Sequence, residues 1–122
     1  MLPDDLLTLN KRIDQLNQPT NKARLKAPFD LLQIKLLEED LRIIKTRDDF
    51  LHGRVPDLTN AGKNRSIERR NKDLYYVSMR FYTLLNILIL KWIGYDNRVV
   101  NLPKIHEGFT EIRLEEEPFR QV

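Results

Sequence analysis

Arg47-Asp48-Asp49-Phe50-Leu51-His52-Gly53 is the stretch on which the reading of this chain turns, because a long helical pattern stops there. Placing residues 29–52 on a wheel at roughly 100° per residue separates a polar arc (Lys35, Glu38, Glu39, Arg42, Lys45, Thr46, Asp49) from an apolar one. The apolar arc carries Phe29, Leu32, Ile34, Leu36, Leu37, Leu41, Ile43, Ile44, Phe50 and Leu51, and also Arg47 and Asp48, with His52 at its edge. Burying an unpaired charge is expensive, so charged groups on a core-facing arc must pair, reach solvent or line a polar site. Asp40 shares the arc as a candidate partner. Gly53 is suited to the left-handed residue that closes helices, and Pro56 opposes a restart.

Working outward, Leu2, Leu6, Leu9, Ile13 and Leu16 alternate spacings of four and three, which predicts a first amphipathic helix to about Asn17. Asn17, Pro19, Thr20 and Asn21 break it, and the second helix is expected from Pro28 to His52. Residues 54–66 read as an exposed, floppy basic loop. A third helix is expected from between Ser66 and Asp73 to Ile93, with Gly94 as its stop. Its stripe is Leu74, Val77, Phe81, Leu84, Leu85, Leu88 and Trp92, and its narrow polar strip is Arg80, Thr83 and Lys91. A helix this apolar all round is the centre of a bundle or half of an interface. Beyond Gly94 the pattern weakens. Thr110–Glu115 alternates like a short strand without a partner, and Glu115-Glu116-Glu117-Pro118 reads as a solvated, irregular tail.

The expected class is therefore all-α, one domain over 1–122 with a core over 4–96 and a tail over 97–122, as befits 122 residues. There are no cysteines, which fits a reducing, cytoplasmic setting. Asp4 and Asp5 at the start argue against a signal peptide, and the run Leu84–Leu90 is far short of the ~20 residues of a membrane span. Between residues 54 and 72, six basic side chains face two acidic ones, a local charge of +4; as the whole chain carries +3, the remainder sums to −1.

The isolated glycines Gly53, Gly62, Gly94 and Gly108 form no phosphate loop, so no nucleotide cofactor is expected. With His52 and His106 far apart and no cysteine, no metal site is expected either. What remains is Arg47 with His52. Arginine forks onto phosphate oxygens and histidine moves a proton near neutrality, a pair suited to cleaving RNA without metal. His52 would take the 2′-hydroxyl proton or protonate the leaving oxygen, Arg47 would stabilise the charged transition state, and Asp48 would orient them. Such cleavage needs a base and an acid, and a symmetric dimer supplies two copies of His52. Arg54, Lys63, Arg65, Arg69 and Arg70 are the candidate contacts to the RNA backbone.

Arg47-Asp48-x-x-x-His52-Gly53, followed by Leu74-Tyr75-Tyr76 and by Leu84 to Tyr95 with its Leu90-Lys91-Trp92-Ile93-Gly94 ending, resembles the HEPN superfamily, especially its Apea-type domains, over about residues 29–96. The resemblance implies an up-and-down helical bundle, a homodimer with a composite site, and metal-independent ribonuclease activity leaving 2′,3′-cyclic phosphate and 5′-hydroxyl ends. It also implies a role in toxin systems or phage defence, with a cognate antitoxin or additional domains as partners. The alternative is a non-catalytic HEPN module that dimerises or binds RNA or a partner protein. Asp48 stands where Asn is frequent, and Arg54 where one branch has Tyr. Three helices stand where the family has four or five; either the domain is cut from a larger protein, or short helices lie between Asp57 and Glu68 or after Gly94.

Overall fold

The longest element of the computed structural model, which describes residues 21–122, is a helix of 26 residues, Ile67–Trp92. Before it come α1 (Asn21–Leu31), α2 (Glu38–Ile44) and α3 (Arg47–Leu51); the long helix is α4. After it come β1 (Arg98–Val100), α5 (Leu102–Ile105), α6 (Glu107–Thr110) and β2 (Phe119–Gln121). The first helix expected from sequence, residues 2–17, lies outside the described residues. The mostly helical class agrees with expectation. So do the ends of α4: the Ser66 hydroxyl accepts from Arg69 N–H at 3.0 Å, and Gly94 takes φ +90° while Tyr95 N–H donates to Leu90 O at 2.9 Å.

The single helix expected over 28–52 is three helices. α1 already contains Pro28 and ends at Leu31. Gln33 then adopts φ +57°, Gln33 N–H donates to Asp30 O at 3.1 Å, and Ile34 N–H donates to Phe29 O at 2.8 Å. This is the closure usually made with glycine, here built on a glutamine whose Cβ resists the left-handed region. Gln33→Gly is therefore expected to raise stability by about 1 kcal/mol in a urea titration. The chain restarts where the Asp40 carboxylate accepts from Leu37 N–H at 2.7 Å at the head of α2. Thr46 separates α2 from α3, its N–H and hydroxyl both donating to Ile43 O at 2.9 and 2.6 Å.

The buried cluster joins Ile43 of α2, Leu58 of the following loop, Tyr76 and Val77 of α4, and Leu114, with Phe81 and Ile112 against it. α4 turns to this core the face Asp73, Tyr76, Val77, Met79, Arg80, Thr83, Leu84 and Ile87. Two members of the polar strip expected from sequence, Arg80 and Thr83, are thus inside, whereas Leu85 and Trp92 of the expected apolar stripe are exposed.

The reason is a buried ion network. Asp40, fully buried, accepts from Arg80 Nη1 at 3.1 Å and from Arg120 Nη1 and Nη2 at 3.1 and 2.8 Å. Arg80 also donates to both carboxylate oxygens of Glu116 (2.9 and 3.0 Å) and to the Tyr76 hydroxyl (2.8 Å), which in turn donates to Glu39 (2.7 Å). Asn101 Nδ2 donates to Glu116 at 3.0 Å. Burial works to raise the Glu116 carboxyl, but the hydrogen bonds from Arg80 and Asn101 outweigh it and hold the group below the usual carboxylate range.

The stretch 97–122 is consequently no solvated tail. β1 and β2 pair antiparallel, Arg98 with Gln121, Val99 with Arg120 and Val100 with Phe119, and Arg120 reaches from β2 to Asp40. Thr110–Glu115, expected as a strand, is the end of α6 followed by irregular chain. Short helices do follow Gly94, as α5 and α6; none forms between Asp57 and Ser66.

Candidate functional site

α3 is a five-residue helix that begins at Arg47 and delivers His52 at its C-terminal end. His52 N–H donates to the carbonyls of Asp48 and Asp49 at 3.2 Å each; Gly53 takes φ +70°, and Arg54 N–H closes the turn on Asp49 O at 2.7 Å. The glycine stop read from sequence therefore operates, and it turns His52 out to solvent.

Arg47 and Asp48 lie differently from expectation. The continuous wheel put both among core positions, but the breaks at Gln33 and Thr46 reset the helical phase. The Arg47 side chain is 35% exposed and that of Asp48 63%, with Arg47 Nη1 3.7 Å from Asp48 Oδ1. The anticipated partner of this pair, Asp40, is instead committed to Arg80 and Arg120. No hydrogen bond or ion pair joins Arg47 to His52 among the described residues.

The basic residues divide into two sets. Arg54, Lys63 and Arg70 are exposed. Arg54 Nε donates to Asp49 Oδ1 at 3.3 Å, bridging the turn that holds His52. Asp49, read from sequence only as part of the polar arc, thus braces the turn; its position five residues before Arg54, across a glycine stop, is a signal that reading did not use. Arg65 and Arg69 are internal struts. Both donate to Asp73, which is fully buried, at 2.8 and 3.0 Å, and Arg65 also donates to Pro56 O and Val55 O at 2.7 and 2.9 Å. Arg69 Nη2 donates to Thr110 O at 2.6 Å. Their donors hold the loop and α6, so of the five basic candidates Arg54, Lys63 and Arg70 are the ones with exposed side chains.

The loop they anchor also carries hydrogen bonds of its own. Asp57 accepts from Ala61 N–H (3.0 Å) and Gly62 N–H (2.8 Å), and those two bonds, that of Gly62 foremost, lower its carboxyl pKa. His106 is half-buried and packs edge-on to Tyr75 with ring centroids 6.0 Å apart; Phe109 meets Tyr75 the same way at 4.9 Å.

No family model, curated protein or solved structure matches the chain. The functional reading rests on the residues themselves. No helix among the described residues is long and apolar enough to cross a membrane.

Proposed function

We propose that this chain is a HEPN-like endoribonuclease domain that cleaves RNA without metal at a site completed by a second copy of itself. The observation that carries the reading is that Arg47 and Asp48 open a five-residue helix, Arg47–Leu51, and His52 follows directly on its end, exposed to solvent. An accessible imidazole and a half-exposed guanidinium on one short segment are the groups that transfer of a 2′-hydroxyl proton and stabilisation of a phosphorane require. One His52 would remove the 2′-hydroxyl proton as the oxygen attacks phosphorus; the partner's His52 would protonate the departing 5′-oxygen. Arg47 would neutralise the charge on the non-bridging oxygens, and Asp48, 3.7 Å from it, would limit its orientations. Arg54, Lys63 and Arg70 supply sequence-tolerant, salt-sensitive contacts to the strand.

The test is single-stranded RNA incubated with the purified chain in excess EDTA. Products ending in 2′,3′-cyclic phosphate and 5′-hydroxyl groups are expected; loss of all cleavage in the chelator overturns the mechanism. A toxin or defence role, with an antitoxin or additional domains as partners, belongs to the same reading. The second reading, a non-catalytic module that holds RNA or a partner protein, is favoured by one observation: no side-chain bond orients His52 toward Arg47 among the described residues. RNA retention at low salt without products over long incubation would establish it.

A further inference from the structure

Between α1 and α4 runs an apolar groove, a partly open cavity of about 230 Å³. Leu25 and Phe29 of α1, Ile44 of α2, and Phe81, Leu84 and Leu88 of α4 line it. Its floor is closed, for Phe29, Ile44 and Leu84 are buried. Its rims are not: Leu85, a lining residue on α4, is 54% exposed, and Leu31, three residues after Pro28 and so on the same face of α1, is 77% exposed. Arg24 is the one charged lining residue among the described residues. A contiguous apolar concavity, unlike a lone exposed leucine, marks a surface made to be covered.

We propose that this groove seats the chain's own N-terminal segment, residues 2–16, run back antiparallel to α1 with the stripe Leu2, Leu6, Leu9, Ile13 and Leu16 facing in. Position, length and charge select this occupant. Residues 1–20 join the described chain at Asn21, where α1 begins, three residues before Arg24. Asn17-Gln18-Pro19-Thr20 is then a connection of four residues, within the usual 2–8 between packed helices, and connections this short make antiparallel neighbours. At ~1.5 Å per residue the stripe runs ~21 Å from Leu2 to Leu16, against ~16 Å for the 11 residues of α1. Counting back from the connection brings Ile13 level with Leu25, Leu9 with Pro28 and Leu6 with Leu31, each to within about one residue. Each aliphatic side chain thus meets the groove or its rim. The same count brings Asp14 level with Arg24, the one charge on the lining. None of this depends on the ribonuclease reading.

The chain has no cysteine, so paired substitutions in the full chain report the contact directly. Leu6→Cys with Leu31→Cys should close an internal disulfide under mild oxidation: both thiols are lost to a thiol reagent, the mass stays that of one chain, 14.6 kDa, and reduction restores them. Leu6→Cys with Ile67→Cys should not, because Ile67 lies ~27 Å along α4 from Leu85. Leu9→Glu with Ile13→Glu should uncover the groove and raise the fluorescence of an apolar dye, and adding Leu85→Glu should lower it again by placing a carboxylate on the rim. Disulfide-linked dimers in place of the internal bridge would assign the groove to a second copy. No bridge, a bridge to Ile67→Cys formed as readily, or a dye signal that Leu9→Glu with Ile13→Glu leaves unchanged would mean that the segment packs elsewhere. A wild-type chain that binds one equivalent of decanoate, and still does so with those two glutamates, would make the groove a small-molecule site. Each of these results overturns the proposal.

Discussion

Asp40→Ala is expected to remove about 3–5 kcal/mol of stability, the usual consequence of breaking a buried ion pair from one side. Asp40 has no exposed surface and accepts from Arg80, Arg120 and Leu37 N–H. Its removal leaves Arg120 in a buried site with only the 3.4 Å bond to Lys35 O, and strips the head of α2 of its N-terminal acceptor. Arg80 keeps Glu116 and the Tyr76 hydroxyl, so the damage centres on Arg120 and the β2 strand that carries it. Urea denaturation measures the loss; a change below about 1 kcal/mol would mean that water reaches the network. Replacing Asp40 and Arg120 together, Asp40→Leu with Arg120→Met, should recover much of the loss, because Arg80 keeps Glu116 and no guanidinium is left unpaired.

The same network has an acid dependence of fixed sign. Glu116 has a folded pKa below its unfolded one, so its contribution is fully present above the unfolded value, about 4.3, and is lost as pH falls through the folded value. The melting temperature should therefore fall between pH 5 and lower pH, and Glu116→Gln should flatten that part of the curve.

His52→Ala is expected to lower RNA cleavage by about 10³-fold, within the range for losing a positioned general acid or base. The side chain is exposed and lies at a helix end, so the substitution should leave the melting temperature within about 0.5 kcal/mol of wild type in stability terms. That separation of function from fold distinguishes a catalytic His52 from a helix-ending residue. Unchanged cleavage by a folded His52→Ala chain would remove it from the mechanism.

How much of this was legible in the sequence depends on whether the signal was local. Ser66 and Gly94 bracket α4 with ordinary capping chemistry, and Gly53 stops α3 in the same way, so these ends were read correctly. The breaks at Gln33 and Thr46 carry no glycine or proline and were missed, and with them the true surroundings of Arg47 and Asp48. The larger miss was α4. A hydropathy pattern places charge outside, but Arg80 is drawn in by Asp40 and Glu116, which lie 40 and 36 residues away. Long-range pairing of this kind leaves no periodic trace, and so the apolar stripe expected in the core stands in part on the surface. Glu116 and Arg120 looked like solvated tail residues for the same reason.

The central claim is that one chain carries half of a catalytic site, and subunit mixing tests it most directly. Wild-type chain at fixed concentration is equilibrated with a ninefold excess of His52→Ala chain, and the initial rate of RNA cleavage in EDTA is compared with wild type alone. If two copies of His52 act on one phosphate, random pairing leaves only about a tenth of wild-type chains with a wild-type mate, and the rate should fall roughly tenfold. A rate that does not change on mixing, in dimers shown to exchange, would contradict the account.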